Sequence, residues 1–568
     1  MRVLLQLSDL VAAPAVTFAL NGATVTVGDD GASLLDALRE DLGCRSVKDG
    51  CSPQGQCGCC TVWVDDSARV ACVTPLRRVA GRAVTTVDGL VPDLRDRWVD
   101  AFVATGASQC GFCTPGILLR LAALENGGRP PTRQAVESAL LAHLCRCTGW
   151  QSIVEAACSA LGLTQAPPPP RRDPLLAAWR AQLEGPAFQS SGPDVVLGGG
   201  GFADDTTPAD ALVQLGAATT TLAPSLRAAR QGSEKVQGRN STVPLTHPVP
   251  LPEGEWALAL QTTWVEPAYV EPDASWCRPG AVPATPLANG GAFGGKRHSP
   301  VADRARALSA DTDAAVRVLW SREDVVRHGP KRPPLALGLR PDRSGRLRIG
   351  RTAGSADLSA LCDRVHAVAP LVDIEEVEVV GPPVGADLRG AVWSEVLAAV
   401  TALDALNSRD TGPGPADVSV PGGGRAVGSM SGDVEAVRVD LWAGEVLCPV
   451  TLRSYALGAV HQALGLVWSE GIAVDPDGAP LDLTIRSFGI LAARDMPPVE
   501  VILHPDDRWP VNGSDAVFAA TLAAAWTAEG LPPTWPTRRH RHRPRTGTGT
   551  GATVTNVATP QSRREEHA

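Results

Sequence analysis

The chain of 568 residues is long enough for roughly three or four domains, and its formal net charge of −9 argues against a general nucleic-acid-binding protein. Hydrophobic residues make up 44% and charged residues 20%, and no run of about 18 apolar residues predicts a membrane span. The first 20 residues, interrupted by Asp9, do not predict a secretory signal. We therefore expect a cytoplasmic protein, in which clustered cysteines bind metal more often than they form disulfides.

The first predicted elements are two short strands around an Asn-Gly pair, over residues 16–27, followed by a helix. Ser33 is the expected N-cap of this helix and Gly43 its end. After a cysteine-rich loop, "TVWVDD" and "RVACVT" predict two further strands. This order of elements predicts a ferredoxin-like (β-grasp) domain over residues 1–88.

The next segments have helical periodicity and predict a small helical domain of the four-helix type over residues 89–163. They are "GILLRLAALENGG", "TRQAVESALLAHL" and "QSIVEAACSALGL". The proline-rich stretch "TQAPPPPRRDP" that follows marks a domain boundary, so a linker is expected over residues 164–190.

The rest of the chain mixes strand-like and helical patterns and predicts a compact α/β domain over residues 191–537. "VVLGGG" and "AVRVLW" indicate strands, whereas "SEVLAAVTALDAL" and "AVFAATLAAAWTAEG" indicate helices. Residues 538–568 have no apolar periodicity and predict a disordered tail. The fold class expected for the whole chain is therefore α+β and multidomain.

Ten of the 14 cysteines lie between Cys44 and Cys147, in two groups. The first group admits a disulfide knot, a zinc site or an iron–sulfur cluster. Its spacing favours a 2Fe–2S cluster, because the plant-type pattern has C-x4-C-x2-C followed by a distant cysteine. Cys57 and Cys60 fit, Cys72 can be the distant ligand, and Cys51 precedes Cys57 by one residue more than the pattern. Cys44 is the alternative to Cys51.

The second group has two close pairs, "QCGFC" and "LCRC", separated by 31 residues. Each pair is expected at the start of a helix, where unpaired N–H groups favour a negative cluster, and Pro115 and Thr148 suit such starts. Zinc is the alternative, because two CxxC-like pairs can hold one ion, although C-x-C is a poor half-site. The four cysteines are Cys110, Cys113, Cys145 and Cys147.

The strings "KDGCSPQGQCGCCTV", "QCGFCTPG" and "CRCTGW" resemble the two-cluster iron–sulfur module of the molybdenum hydroxylases, which include xanthine dehydrogenase and aldehyde oxidoreductase. The resemblance covers roughly residues 16–163. It implies two 2Fe–2S clusters, the second nearer to the molybdenum, and a contact between Gln109 and the pterin of the molybdenum cofactor. The first cluster would be held by Cys51, Cys57, Cys60 and Cys72, and the second by Cys110, Cys113, Cys145 and Cys147.

Shorter strings in residues 190–537 resemble the molybdenum subunit of the same family. "GGAFGGK" resembles a glycine loop that packs against the anionic cofactor, and the next residue, Arg297, would line the substrate pocket. "VNGSDAVFAA" lies where the family has its catalytic carboxylate, so Asp515 is either the base or only a helix N-cap. The implied cofactor contacts are Gly291, Ala292, Phe293, Gly294, Arg389 and Gln462.

Two functions follow from these patterns. The favoured one is an oxidoreductase that oxidises a small aldehyde or heterocycle at molybdenum and passes electrons through both clusters. The alternative is an electron-transfer or assembly protein with a degenerate molybdenum domain, because this region is about half as long as the family's. A flavin domain has no counterpart between the two parts, so the expected acceptor is a separate FAD-binding subunit or a soluble molecule. The family also makes a homodimer possible.

Overall fold

The computed structural model describes ten stretches of the chain, and the predicted tail lies outside them except for Arg538. No helix in these stretches is long and apolar enough to cross a membrane. The described residues are 15–128, 130–164, 173–185, 187–231, 243–285, 291–355, 357–408, 414–430, 436–504 and 506–538.

The N-terminal part is a five-stranded mixed sheet in the order β2-β1-β5-β3-β4, in which β1 and β5 run parallel. The predicted first hairpin is confirmed, because Asn21 and Gly22 both adopt positive φ and connect β1 to β2. Asp65 and Asp66 do the same between β3 and β4. The strands are β1 Ala15–Leu20, β2 Ala23–Gly28, β3 Thr61–Val64, β4 Ser67–Val70 and β5 Ala83–Thr85.

A short helix crosses this sheet and leads into the cysteine loop. Helix α1 (Leu34–Asp36) continues as a π-helical turn over Ala37–Asp41, and Ser33 caps it through a reciprocal capping box with Asp36. The predicted strand "RVACVT" is wrong beyond Val70, because Ala71–Val73 form a 3₁₀ turn. Cys72 therefore lies on a turn, where its backbone N–H can point towards the Cys60 sulfur at 3.4 Å.

Four helices follow, and the three predicted helical segments are confirmed. Their apolar residues, with Trp98 and Trp150, form one buried cluster together with the cysteines of the second group. The helices are α2 Pro92–Thr105, α3 Thr114–Ala122, α4 Arg133–Ala139 and α5 Gln151–Ala160.

The expected linker over residues 164–190 contains a packed helix instead, α6 (Pro174–Glu184). Asp173 caps it by accepting the N–H groups of Leu175 and Leu176, and Pro174 suits its first turn. The predicted strand "VVLGGG" is also wrong, because Pro193–Val196 form a short helix, α7, that ends in a glycine run.

The remaining chain forms three sheets in the orders β6-β9-β8, β12-β11-β10-β7 and β13-β14-β15-β16. The strands are β6 Leu212–Leu215, β7 Leu258–Gln261, β8 Ala274–Cys277, β9 Val316–Leu319, β10 Leu335–Leu339, β11 Gly345–Arg351, β12 Val372–Glu378, β13 Ala416–Ser419, β14 Arg425–Met430, β15 Val437–Trp442 and β16 Val499–His504.

The described part of this region has seven helices, of which α13 and α14 contact each other in the largest core. Helix α13 is buried along almost its whole length, so its polar residues must find partners within the protein. The helices are α8 Leu226–Gln231, α9 Val301–Thr312, α10 Arg322–His328, α11 Ser359–Val368, α12 Trp393–Asn407, α13 Pro449–Trp468 and α14 Ser514–Ala528.

Candidate functional site: two rings of cysteine thiols beside a small cavity

Four cysteines of the first group form a buried ring between the sheet and the helices. The thiol of Cys51 contacts those of Cys57 and Cys72, and the thiol of Cys72 also contacts that of Cys60. These contacts lower the pKa of Cys51 and raise the pKa of Cys72. Cys44 is half-buried and lies outside the ring, with its thiol directed to the carbonyl of Leu42. Of the two alternatives for the first position, the structure thus brings Cys51 into the ring.

The second group forms a similar ring. The sulfur atoms of Cys110 and Cys147 are 3.6 Å apart, and the thiol of Cys145 contacts those of Cys113 and Cys147. Cys113 is the N-cap of α3, as the expected helix start requires. The expectation for Thr148 is wrong, since α5 begins three residues later and Thr148 instead lies with its hydroxyl 3.1 Å from the Cys145 sulfur.

The two rings are joined by a direct backbone contact. The N–H of Leu144, next to Cys145, donates to the carbonyl of Cys57 at 3.0 Å. This close approach depends on Gly116 in α3, because a Cβ there would lie 2.5 Å from the carbonyl oxygen of Gly58. One hydrogen bond therefore connects a residue of the first ring with the neighbour of a residue of the second.

Four thiolates can serve either a zinc ion or a 2Fe–2S cluster. Within the described stretches, no group of three or more His, Cys, Asp or Glu side chains forms a site for a single metal ion. The eight cysteines of the two rings are each at most 7% exposed, which suits a bound group that is shielded from water.

Five of the residues that the sequence connected with the molybdenum cofactor lie around one cavity. A cavity of about 40 Å³ is lined by Gly291, Ala292, Phe293, Arg389 and Gln462, which lie far apart in the chain. Arg297 does not line it; its side chain is 61% exposed and lies 3.6 Å from Asp387.

Two buried amides connect the second ring to α13. The Gln109 side-chain N–H group donates to the carbonyl of Cys147 at 2.9 Å and to the hydroxyl of Ser454 at 3.0 Å. Gln462 donates to the carbonyl of Arg146 at 3.1 Å. Gln109 also has a side-chain oxygen that finds no hydrogen-bond partner among the described residues.

Asp515 lies in the first turn of α14 and is not its N-cap, which is Gly513. The N-cap interpretation is therefore wrong, because the helix begins two residues earlier than the apolar pattern suggested. The Asp515 carboxylate is 3.4 Å from the guanidinium of Arg389 and does not line the cavity. Burial raises its pKa, against the opposing charge of Arg389.

The sequence missed two residues that hold the second ring in place. Arg146, between Cys145 and Cys147, forms a two-pronged ion pair with Glu470 at 2.5 and 2.7 Å, and both side chains are buried. Its Nε also donates to the carbonyl of Pro267. The arginine inside "CRC" was a visible signal, but its partner is 324 residues away in the chain.

Comparison with known proteins identifies the cysteine-rich part. Residues 86–158 match the family model "[2Fe-2S] binding domain". The nicotine 6-hydroxylase small subunit of Paenarthrobacter nicotinovorans is 40% identical over 144 residues, which is 25% of this chain and 87% of that subunit.

The chain belongs to the molybdenum hydroxylase family. A second relative, the aldehyde oxidoreductase of Megalodesulfovibrio gigas, is 37% identical over 155 residues, which is 26% of this chain but only 17% of the relative. The solved aldehyde oxidoreductase from Desulfovibrio gigas superposes on 92% of this chain and 99% of that chain, with a TM-score of 0.66 and 13% identity. That likeness establishes a mixed α/β fold of the aldehyde oxidoreductase type.

The cavity does not fit the molybdenum cofactor of this family. Its volume of about 40 Å³ is far below the ~300–1,000 Å³ of pockets for organic ligands. An anionic cofactor also needs donors, but the three arginines that line the cavity are engaged by protein groups. Arg146 is paired with Glu470, Arg332 with Glu395, and Arg389 with Asp515.

The glycine loop has a packing role in this structure. A Cβ at Gly294, which has φ +99°, would lie 1.8 Å from the carbonyl oxygen of Asp387. A Cβ at Gly291 would lie 2.8 Å from the Cβ of Arg146 and 3.4 Å from the Cys147 sulfur. These two glycines therefore let the loop contact the protein itself, including the second ring.

The lysine of the same loop is anchored by a buried carboxylate. Lys296 donates to Glu271 at 2.6 Å, and burial raises the pKa of Glu271 from its ordinary value of 4.5 to about 7, although Lys296 opposes the shift. The Glu271 carboxyl therefore keeps its proton to a higher pH in the folded protein than in the unfolded chain. Its protonation contributes fully to the free energy of unfolding below pH 4.5, and this contribution is lost as pH rises through about 7.

We expect Glu271→Gln to remove this pH dependence of the free energy of unfolding, whose slope is at most about 1.4 kcal/mol per pH unit. Urea unfolding between about pH 5 and pH 8 should show the wild type losing stability relative to the variant as pH rises. Parallel curves for the two proteins would contradict the shifted pKa.

Proposed function

We propose that this protein is a two-cluster iron–sulfur electron-transfer protein, in which residues 191–537, which we call the molybdenum-type region, hold the second cluster in place and bind no molybdenum cofactor. The outer 2Fe–2S cluster uses Cys51, Cys57, Cys60 and Cys72. The inner cluster uses Cys110, Cys113, Cys145 and Cys147. The observation that carries the proposal is the pair of four-thiol rings joined through Leu144, beside a cavity too small for the cofactor.

The fold supports separate roles for the two cysteine rings and the molybdenum-type region. A five-stranded mixed sheet crossed by a short helix suits the ferredoxin-like domain, and four helices surround the inner ring. Arg146, Gln109 and Gln462 connect the inner ring to the molybdenum-type region. This region thereby acts as a clamp on the inner ring, which explains why contacts in the family's order persist around a small cavity.

An electron-transfer protein needs an electron donor and an electron acceptor. Relatives of this chain include a separately named small subunit, which supports a role beside another subunit. The acceptor we propose is a separate FAD-binding subunit or a soluble molecule, and the cytoplasm is the proposed location because reduced thiols persist there.

Reductive titration followed by electron paramagnetic resonance tests the proposal. Two one-electron steps with two distinct signals, both re-oxidised by one added acceptor, are expected. A single signal, or a colourless protein after reconstitution with iron and sulfide, would overturn it.

A molybdenum hydroxylase is the second candidate, and one observation favours it. The buried oxygen of Gln109, which has no hydrogen-bond partner in the described part of the chain, is where the resemblance puts a pterin contact. In that case Asp515 would be the base for oxidation of a small molecule.

Asp515→Ala separates the two candidates. In an electron-transfer protein the carboxylate touches neither ring, so we expect the iron content and the rate of cluster reduction to stay within experimental error of the wild type. Asp515→Asn, which keeps the shape, is the matched control. Substrate-dependent cluster reduction that vanishes in Asp515→Ala would favour the hydroxylase.

A further inference from the structure

Helix α6, which the sequence did not predict, packs against α13 of the molybdenum-type region. We propose that α6 is a built-in occupant of the molybdenum-type region, with the Glu184 carboxylate held where the region would otherwise hold an anionic ligand. This inference does not depend on the proposed electron transfer.

The Glu184 carboxylate binds the N-terminus of α14. Its two oxygen atoms accept the N–H of Gly513, each at 3.1 Å, and one accepts the N–H of Ser514 at 2.7 Å. The first N–H groups of a helix have no partner within the helix and carry partial positive charge, so they attract anions. In this chain a carboxylate from 329 residues away occupies that position.

A fully buried arginine fixes the carboxylate. Arg180 donates to Glu184 at 2.9 Å, and both side chains have no exposed surface. Arg180 also donates to the carbonyls of Val511 at 2.8 Å and Glu445 at 2.7 Å. Charged groups this deeply buried are tolerated only when they are paired, so the helix is held by specific polar contacts.

The orientation of α6 supports the same interpretation. Its inward face carries alanines together with Arg180 and Glu184, whereas Leu175 is 78% and Trp179 is 43% exposed. A surface helix normally turns its large apolar residues inward. In α6 the polar contacts of Arg180 and Glu184 determine which face is buried, and the large apolar side chains of Leu175 and Trp179 remain exposed.

The helix also touches residues that were candidates for binding the cofactor. Arg389 donates to the backbone carbonyl of Glu184 at 3.2 Å and to the hydroxyl of Ser514 at 3.1 Å. Ala181 packs with Phe293 of the glycine loop and with Tyr455 of α13. For α6 to leave this place, Glu184 would have to release the N–H groups of α14, and Arg180 the carbonyls of Val511 and Glu445.

Chemical rescue tests the inference. Glu184→Ala should leave an anion-sized hole between Arg180, Arg389 and the start of α14. Its thermal unfolding midpoint should be lower than that of the wild type, and formate should restore it when chloride at the same ionic strength does not. Glu137→Ala is the matched control, because Glu137 forms the same i,i+4 pair with Arg133 at an exposed site. Neither the wild type nor this control should respond to formate.

Two results would overturn the inference: a Glu184→Ala midpoint equal to that of the wild type, or a lowered midpoint that formate does not raise. If Glu184→Ala fails to fold, Glu184→Gln keeps the side-chain shape and removes the charge. It should unfold at a lower midpoint than the wild type, and an unchanged midpoint would overturn the inference. The iron content of the same samples keeps the two proposals distinguishable. If formate does not restore the midpoint but the iron content is that of the wild type, the result contradicts only the role of α6.

Discussion

Cys57→Ser is expected to remove the outer cluster and leave the inner one. Cys57 lies in the first ring, in contact with Cys51, and its carbonyl accepts the hydrogen bond that leads to the second ring. Iron should fall from about four to about two atoms per chain, since each 2Fe–2S cluster needs four ligands. Visible absorbance should fall by a comparable fraction, and one of two paramagnetic signals should disappear.

Cys59→Ser is the matched control for this change. Cys59 is equally buried and next but one in sequence, and its thiol contacts that of Cys57, but it is not one of the four proposed ligands. Its replacement should leave the iron content unchanged. If Cys57→Ser kept all its iron, or Cys59→Ser lost as much, the assignment of the outer ligands would be wrong.

Arg146→Ala is expected to destabilise the protein strongly. It leaves Glu470 buried and without its partner, and breaking a buried ion pair in this way costs about 3–5 kcal/mol. It also frees the loop between Cys145 and Cys147 from the molybdenum-type region. We therefore expect a lower urea midpoint, together with faster loss of inner-cluster iron to a chelator.

Asp417→Asn provides the comparison for Arg146→Ala. Asp417 pairs with Arg425, but both side chains are about half exposed, at 51% and 44%. Removal of such a surface pair should change the free energy of unfolding by no more than about 1 kcal/mol. Equal effects of the two substitutions, or unchanged iron release in Arg146→Ala, would contradict the clamp.

The sequence predicted best those features that depend on neighbouring residues. The Asn21–Gly22 hairpin and the Ser33 cap each rest on a local rule about backbone conformation or capping, and the structure confirms both. The two cysteine groups were visible for a similar reason, since their ligands cluster in short loops. Cys72 was assigned to a strand because the alternating pattern continues past Val70, where the chain turns towards Cys60.

Features that depend on distant partners could not be predicted. Helix α6 turns polar residues inward, and its reason for doing so lies more than 300 residues away in the chain. The glycine loop suggested an anionic cofactor, because the pattern of glycines is the same whether a ligand or a carbonyl approaches. Only the structure indicates that the carbonyl of Asp387 fills the space beside Gly294.

The most direct test of this account is the iron and molybdenum content per chain. The protein should be purified without oxygen from a host that makes the molybdenum cofactor and inserts it into a family enzyme expressed as a positive control. We predict about four iron atoms and no molybdenum, as expected for two 2Fe–2S clusters beside a cavity too small for the cofactor. About one molybdenum per chain would contradict both the conclusion that the cavity is too small for the cofactor and the role of α6, and it would favour the hydroxylase.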